Sequence, residues 1–162
     1  MEPRRFTGRG AGSDDGGNAL ISQSTEYALR AALHIAEHSD NGPVRVQDVA
    51  RDLDVPRNYL SKILHQLGRS NVVTSTRGPN GGFRLAAPPA TIPLARIVEP
   101  FEPNLVDGRR RCLLGREVCS DTDPCGAHHH WKRVAAEILD FFHSKTLADL
   151  LAAPGDPLSR MA

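Results

Sequence analysis

Apolar positions recur at helical spacing through most of the chain and switch to a β-branched run in one place. From Ser22 to about His38, the residues Tyr27, Ala28, Ala31, Ala32, Ile35 and Ala36 share one broad face, which predicts a helix capped by Ser22 or Ser24. Val46, Val49, Ala50 and Leu53 form the stripe of a second, short helix, with Gln47, Asp48, Arg51 and Asp52 opposite. Asp54-Val55-Pro56 breaks that pattern, because proline disfavours helical geometry in the residue before it yet suits the first turn of a new helix. Leu60, Ile63, Leu64 and Leu67 then give a third helix its buried stripe. Val72 to Thr76 is β-branched, Phe83-Arg84-Leu85 can pair back onto it, and Arg77 to Gly82 is a loop of turn-forming residues.

Helix, turn, helix, hairpin is the order of a winged helix-turn-helix, a DNA-binding module. The polar side of the third helix offers Arg57, Asn58, Tyr59, Ser61, Lys62 and His65, side chains able to reach base edges and phosphates in a major groove. Arg77, followed by Gly78 at the wing, is the expected minor-groove contact, since narrow A·T grooves concentrate negative potential. An amphipathic helix pair with a hairpin also serves as a purely structural unit. The arginine-bearing wing at this distance favours the DNA reading.

Beyond the hairpin the pattern continues. Ala86 to Thr91 reads as a linker, and Ile92 to about Phe101 as a short helix. Pro103 to Pro124 has no sustained period. From His128 to about His143 a long helix carries Trp131, Val134, Ala135, Ile138, Leu139 and Phe142 on one stripe, and Thr146 caps a last helix over Leu147 to Leu151. One small winged domain does not need that extra stripe for its own core, and helix-turn-helix proteins commonly bind paired half-sites, so the long helix is read as a homodimer interface. The expected architecture is mainly α with a small β-hairpin wing. It divides into a disordered tail (1–20), the winged DNA-binding domain (21–87), a linker with a short helix (88–103), a cysteine-rich loop (104–127), the dimerisation and terminal helices (128–152) and a flexible tail (153–162).

The 162 residues suit one domain with an extension, and the net charge of +1 does not by itself announce a nucleic-acid binder. Its distribution does more. Between Arg57 and Arg84 the charges are Arg57, Lys62, Arg69, Arg77 and Arg84, with no acid among them, which suits a phosphate-facing surface. No apolar run approaches the roughly 18 residues of a membrane span, so no membrane partner and a cytoplasmic location are expected. No phosphate loop and no cysteine paired with a base on a scaffold of catalytic size is present, which argues against an enzyme.

A reducing compartment then disfavours disulfides between the chain's 3 cysteines. All of them fall in Cys112-Leu-Leu-Gly-Arg-Glu-Val-Cys119-Ser-Asp-Thr-Asp-Pro-Cys125-Gly-Ala-His128, spaced C-x6-C-x5-C-x2-H. Three thiolates with one further ligand suit an iron–sulfur cluster or a tetrahedral zinc. These gaps are looser than the tight knuckles of structural zinc sites, which favours the cluster and leaves zinc as the alternative. The fourth ligand is His128 or an acidic residue from elsewhere, for which Glu26 of the partner subunit is the candidate.

Thr25-Glu-Tyr-Ala-Leu-Arg30, Tyr59-Leu60, Arg77-Gly-Pro-Asn-Gly-Gly-Phe-Arg-Leu85, the cysteine triplet, His128, Trp131 and Thr146-Leu-Ala-Asp-Leu150 together resemble the Rrf-two family of bacterial winged-helix regulators, over roughly Ile21 to Leu151. The resemblance implies a homodimer with crossing long helices and an iron–sulfur cluster near the interface, whose loss changes affinity for an operator in double-stranded DNA. In one family pattern Cys112, Cys119, Cys125 and His128 would hold a 2Fe–2S cluster. In another, the cysteines would hold a 4Fe–4S cluster completed by an acid on the partner's first helix, where Glu26 stands in place of an aspartate. Ser61 stands where some members carry an acid, so an operator sequence does not carry over. The expected function is a transcriptional regulator acting as a repressor, its DNA affinity set by a cluster that senses redox state, nitric oxide or iron–sulfur status. The alternative is a zinc-stabilised winged-helix DNA-binding protein without cluster sensing.

Overall fold

The computed structural model describes residues 20–38, 40, 42–108, 112–115 and 120–152. The tail expected at 1–20, apart from Leu20, the tail expected at 153–162, and Cys119 lie outside them.

Helix α1 (Gln23–Glu37) is the spine. Ser22 caps it, its hydroxyl accepting from the Thr25 amide at 3.3 Å. Ala28, Ala31, Ala32 and Ile35 on its inner face are fully buried, and their small size lets neighbouring helices approach closely. α2 (Val46–Asp52) and α3 (Arg57–Arg69) follow, and both pack on α1. Between them Asp54 adopts a left-handed φ of 51°, and the Val55 amide reaches back to the Ala50 carbonyl at 2.9 Å, so the chain turns without leaving the core. Pro56 is the N-cap of α3, one position earlier than the first helical turn. Leu60, Ile63, Leu64 and Leu67 are all buried, as their spacing requires.

Asn71, with a φ of 58°, ends α3 and hands the chain to β1 (Val73–Thr76), which pairs antiparallel with β2 (Gly82–Leu85) from Val73↔Leu85 to Thr76↔Gly82. Val44, just before α2, adds a further rung. Its N–H and C=O both exchange hydrogen bonds with Phe83 at 2.8 Å.

The segment expected as a linker and short helix is part of the core. A 3-10 turn (Pro89–Thr91) and α4 (Leu94–Val98) place Ile92, Leu94, Ile97 and Val98 in the same buried cluster as α1. They are sewn to the chain's end: the Leu94 amide donates to the Lys145 carbonyl and the Leu147 amide to the Ile92 carbonyl, each at 2.9 Å. α7 (Leu147–Leu151) starts there with a capping box between Thr146 and Asp149.

Within the stretch expected to lack structure, α5 (Pro103–Val106) makes a single turn, too short to register as a period in sequence. It docks on α6 (His128–Ser144), where His143 Nε2 donates to the Val106 carbonyl at 2.9 Å. Along α6 only His128 and Phe142 are buried, while Val134 and Phe141 of its apolar side are 42% and 47% exposed. None of the described helices is long and apolar enough to cross a membrane.

Candidate nucleic-acid interface and cysteine loop

α3 rests on its leucine stripe, so its other side is left to solvent. Arg57, Asn58, Ser61, Lys62 and His65 are all exposed there. The Ser61 hydroxyl donates to the Arg57 carbonyl at 2.8 Å, which leaves its oxygen lone pairs outward. Tyr59 is placed differently. It is half-buried, its ring packs edge-on against Tyr27 at 5.8 Å, and its hydroxyl is hydrogen-bonded to Ser24. It seats α3 on α1. Between α3 and β1 runs an open groove lined by Ser61, His65, Arg69, Asn71, Thr74 and Ser75. Arg69 and Thr74 thus join the polar surface that the helix pattern alone assigned to α3.

The wing loop is built by backbone approach. Gly78 takes a φ of +113°, which side chains with a Cβ rarely adopt. A Cβ on Gly81 would stand 2.2 Å from the Thr76 carbonyl oxygen, and one on Gly82 would stand 2.5 Å from that of Val44. The paired glycines therefore let the loop close on itself and on the Val44 segment. Arg77 projects from this loop and is exposed, as is Gly78. Arg45, which no sequence pattern singled out, donates from Nη2 to the Pro79 carbonyl at 2.6 Å. The two residues are far apart in sequence, so no local period reports their meeting.

Of the cysteine loop, Cys112 is buried at 7% exposure and Cys125 is half-buried. Each closes a turn: the Cys112 carbonyl accepts from the Gly115 amide at 3.0 Å, and the Cys125 carbonyl from the His128 amide at 2.9 Å. The second turn opens α6. His128 is only 3% exposed although it lies in the first turn, and its Nε2 is 2.7 Å from Oδ1 of Asp121. Lys132, one turn further along α6, donates from Nζ to both carboxylate oxygens at 2.8 and 2.9 Å. Lys132 and then His128, as hydrogen-bond donors, lower the Asp121 carboxyl to about 2. Asp121 is the residue in this loop that sequence reasoning missed, since an exposed aspartate among others carries no mark of its partner. His129 and His130, which follow His128, are exposed.

Glu26 lies in the first turn of α1, with Oε1 3.6 Å from Nη1 of Arg30. Among the described residues, no three His, Cys, Asp or Glu side chains stand close enough to hold an ion by themselves. The donor chemistry nonetheless fits a soft metal centre. A buried thiol, a second thiol one turn from a buried imidazole, and a carboxylate orienting that imidazole are the parts such a centre uses.

Residues 21–153 match the Rrf2 (Rrf-two) family, described as iron-dependent transcriptional regulators. A helix-turn-helix-type transcriptional regulator of Aquifex aeolicus is 36% identical over 136 residues, covering 82% of this chain and 91% of the relative. The regulator IscR of Yersinia enterocolitica is 30% identical over 131 residues, covering 81% and 78%. Among solved structures, CymR, the global cysteine regulator of B. subtilis, superposes with a TM-score of 0.69 at 23% identity over 83% of this chain and 98% of its own. IscR of T. potens superposes with a TM-score of 0.65 at 25% identity over 84% and 92%. The winged helices, the wing glycines and these relatives agree, and the chain belongs to the Rrf2 family of transcriptional regulators.

Proposed function

We propose that the protein is a cytoplasmic, homodimeric repressor whose affinity for operator DNA is set by an iron–sulfur cluster held by Cys112, Cys119 and Cys125, with His128 as fourth ligand. The observation that carries this reading is the burial of His128 beside Cys125 at the start of α6. A histidine in the first turn of a helix is ordinarily solvated. Here it is enclosed and oriented by a carboxylate, and its backbone amide is bonded to the carbonyl of Cys125. The relatives named IscR and the family's description as iron-dependent support the same reading.

α3 enters the major groove with Arg57, Asn58, Ser61, Lys62 and His65. Arg77 and Gly78 at the wing approach the minor groove, and the absence of acids from Arg57 to Arg84 keeps the face attractive to phosphate. The exposed Val134 and Phe141 suit burial against a second copy, because an apolar helix face of this kind gains from leaving water. A bound cluster supplies a centre that oxidants or nitric oxide alter. Cys112, Cys125 and His128 tie the state of the loop to the start of α6, and α6 carries it to the subunit contact. The differential affinity of the two loop states for DNA then sets the response.

The test is repeated selection of duplex DNA from a random library on anaerobically prepared protein, followed by affinity measurement with the cluster present and after its removal. Recovery of one sequence, bound with a steep salt dependence and at least about tenfold differently by the two forms, supports the proposal. Equal affinity of the two forms refutes cluster control. Failure to recover any sequence refutes specific DNA binding.

A further inference from the structure

We propose that Arg45 is a positioning residue for the wing, a clamp that fixes where Arg77 meets DNA. This rests on the reading of Arg77 as a DNA contact.

The loop from Arg77 to Gly81 is rich in residues that leave a backbone loose. Gly78 has a left-handed φ, and the turn's own hydrogen bond, from the Gly81 amide to the Gly78 carbonyl at 2.9 Å, stays within the loop and does not fix it to the helices. A free tip of this kind would lose its conformational freedom on meeting DNA, at a cost to affinity. Two devices tie it down in advance. The first is the pairing of Val44 with Phe83, at 2.8 Å in both directions, which makes the segment before α2 a rung of the hairpin. The second is Arg45. Its backbone carbonyl accepts from the Asp48 and Val49 amides at 3.0 and 3.2 Å, so α2's first turn holds the residue. Its side chain then spans to the tip, where Nη2 donates to the Pro79 carbonyl at 2.6 Å. A charged donor to a carbonyl is stronger than a neutral one. The wing tip is thereby referenced to α2, and through α2 to α3, which packs against it. Helix and wing present one rigid surface, and the arginine next to Gly78 is delivered at a fixed distance from the recognition helix.

Positioning and direct contact make opposite predictions in a double-mutant cycle. The probe is the duplex recovered by selection on the wild-type protein. Arg77→Ala and Arg45→Met are each expected to weaken binding about tenfold, the scale of one lost charged hydrogen bond. Because Arg45 acts only through the wing, Arg45→Met in the Arg77→Ala background is expected to change neither affinity nor salt dependence. Arg45 is exposed, and an unchanged melting curve checks that each variant is folded. If Arg45→Met weakens binding further in that background and lowers the salt slope by about one, Arg45 touches a phosphate itself and the clamp is refuted. If Arg77→Ala weakens binding and Arg45→Met does not, the clamp is refuted and the wing contact stands. If Arg77→Ala has no effect, the wing contact fails and the clamp fails with it.

Discussion

Nε2 of His128 lies 2.7 Å from Oδ1 of Asp121, and the same carboxylate is gripped by Lys132. A carboxylate on one ring nitrogen fixes the tautomer and turns the other nitrogen toward its task. Asp121→Ala should therefore loosen the hold of His128 on a bound cluster. The expected result is loss of visible absorbance to a chelator about 10- to 100-fold faster than in the wild-type protein. Slower loss would mean that Asp121 competes with the cluster for the imidazole.

Gly81 admits no side chain, since a Cβ there would meet the Thr76 carbonyl oxygen at 2.2 Å. Gly81→Ala should displace the wing, destabilise the fold by about 1–3 kcal/mol in denaturant titration, and weaken DNA binding together with it. Unchanged stability would show that the loop has room the structure does not give it.

His34 is buried on α1 and donates from Nε2 to Oδ2 of Asp52 on α2 at 3.0 Å. That hydrogen bond, and a second from Arg51, hold the Asp52 carboxyl below its ordinary value of 3.8. A lowered carboxyl contributes stability above the ordinary value and loses it as the pH falls through the lowered one. Asp52→Asn should thus melt at a lower temperature than wild type at neutral pH, with the gap narrowing as the pH drops below about 3.8. A gap that stays constant into acid would assign the effect to packing rather than charge.

Phe141 is 47% exposed on α6 beside the likewise exposed Val134. Phe141→Asp should leave the fold intact and convert a dimer to a monomer in analytical ultracentrifugation. A variant that remains dimeric would move the subunit contact away from this face.

How much could be read in advance follows from what periodicity reports. A helix longer than two turns declares its apolar face, so α1, α3 and α6 were legible from Ala28 to Ile35, from Leu60 to Leu67, and from Trp131 to Phe142, although on α6 only Phe142 of that stripe is buried. The wing was legible because its glycines answer a local steric demand. Pairings between distant segments left no such mark. Leu94 against Lys145, His143 against Val106 and Arg45 against Pro79 each meet at a backbone carbonyl, which no side-chain pattern reports. The short helix expected from Ile92 was legible and is α4, but its place in the core was not: the prolines around it spoke of a linker, and irregular backbone beside a short helix can still be buried, as Ile92 is.

The most direct test of the account is the metal content of protein purified without oxygen, measured as iron, acid-labile sulfide and zinc alongside the visible spectrum. A brown protein with iron and sulfide in equal amounts is the predicted result, and two or four irons per chain names the cluster. A colourless protein holding one zinc per chain, or one that takes up no iron and sulfide on reconstitution, would contradict it.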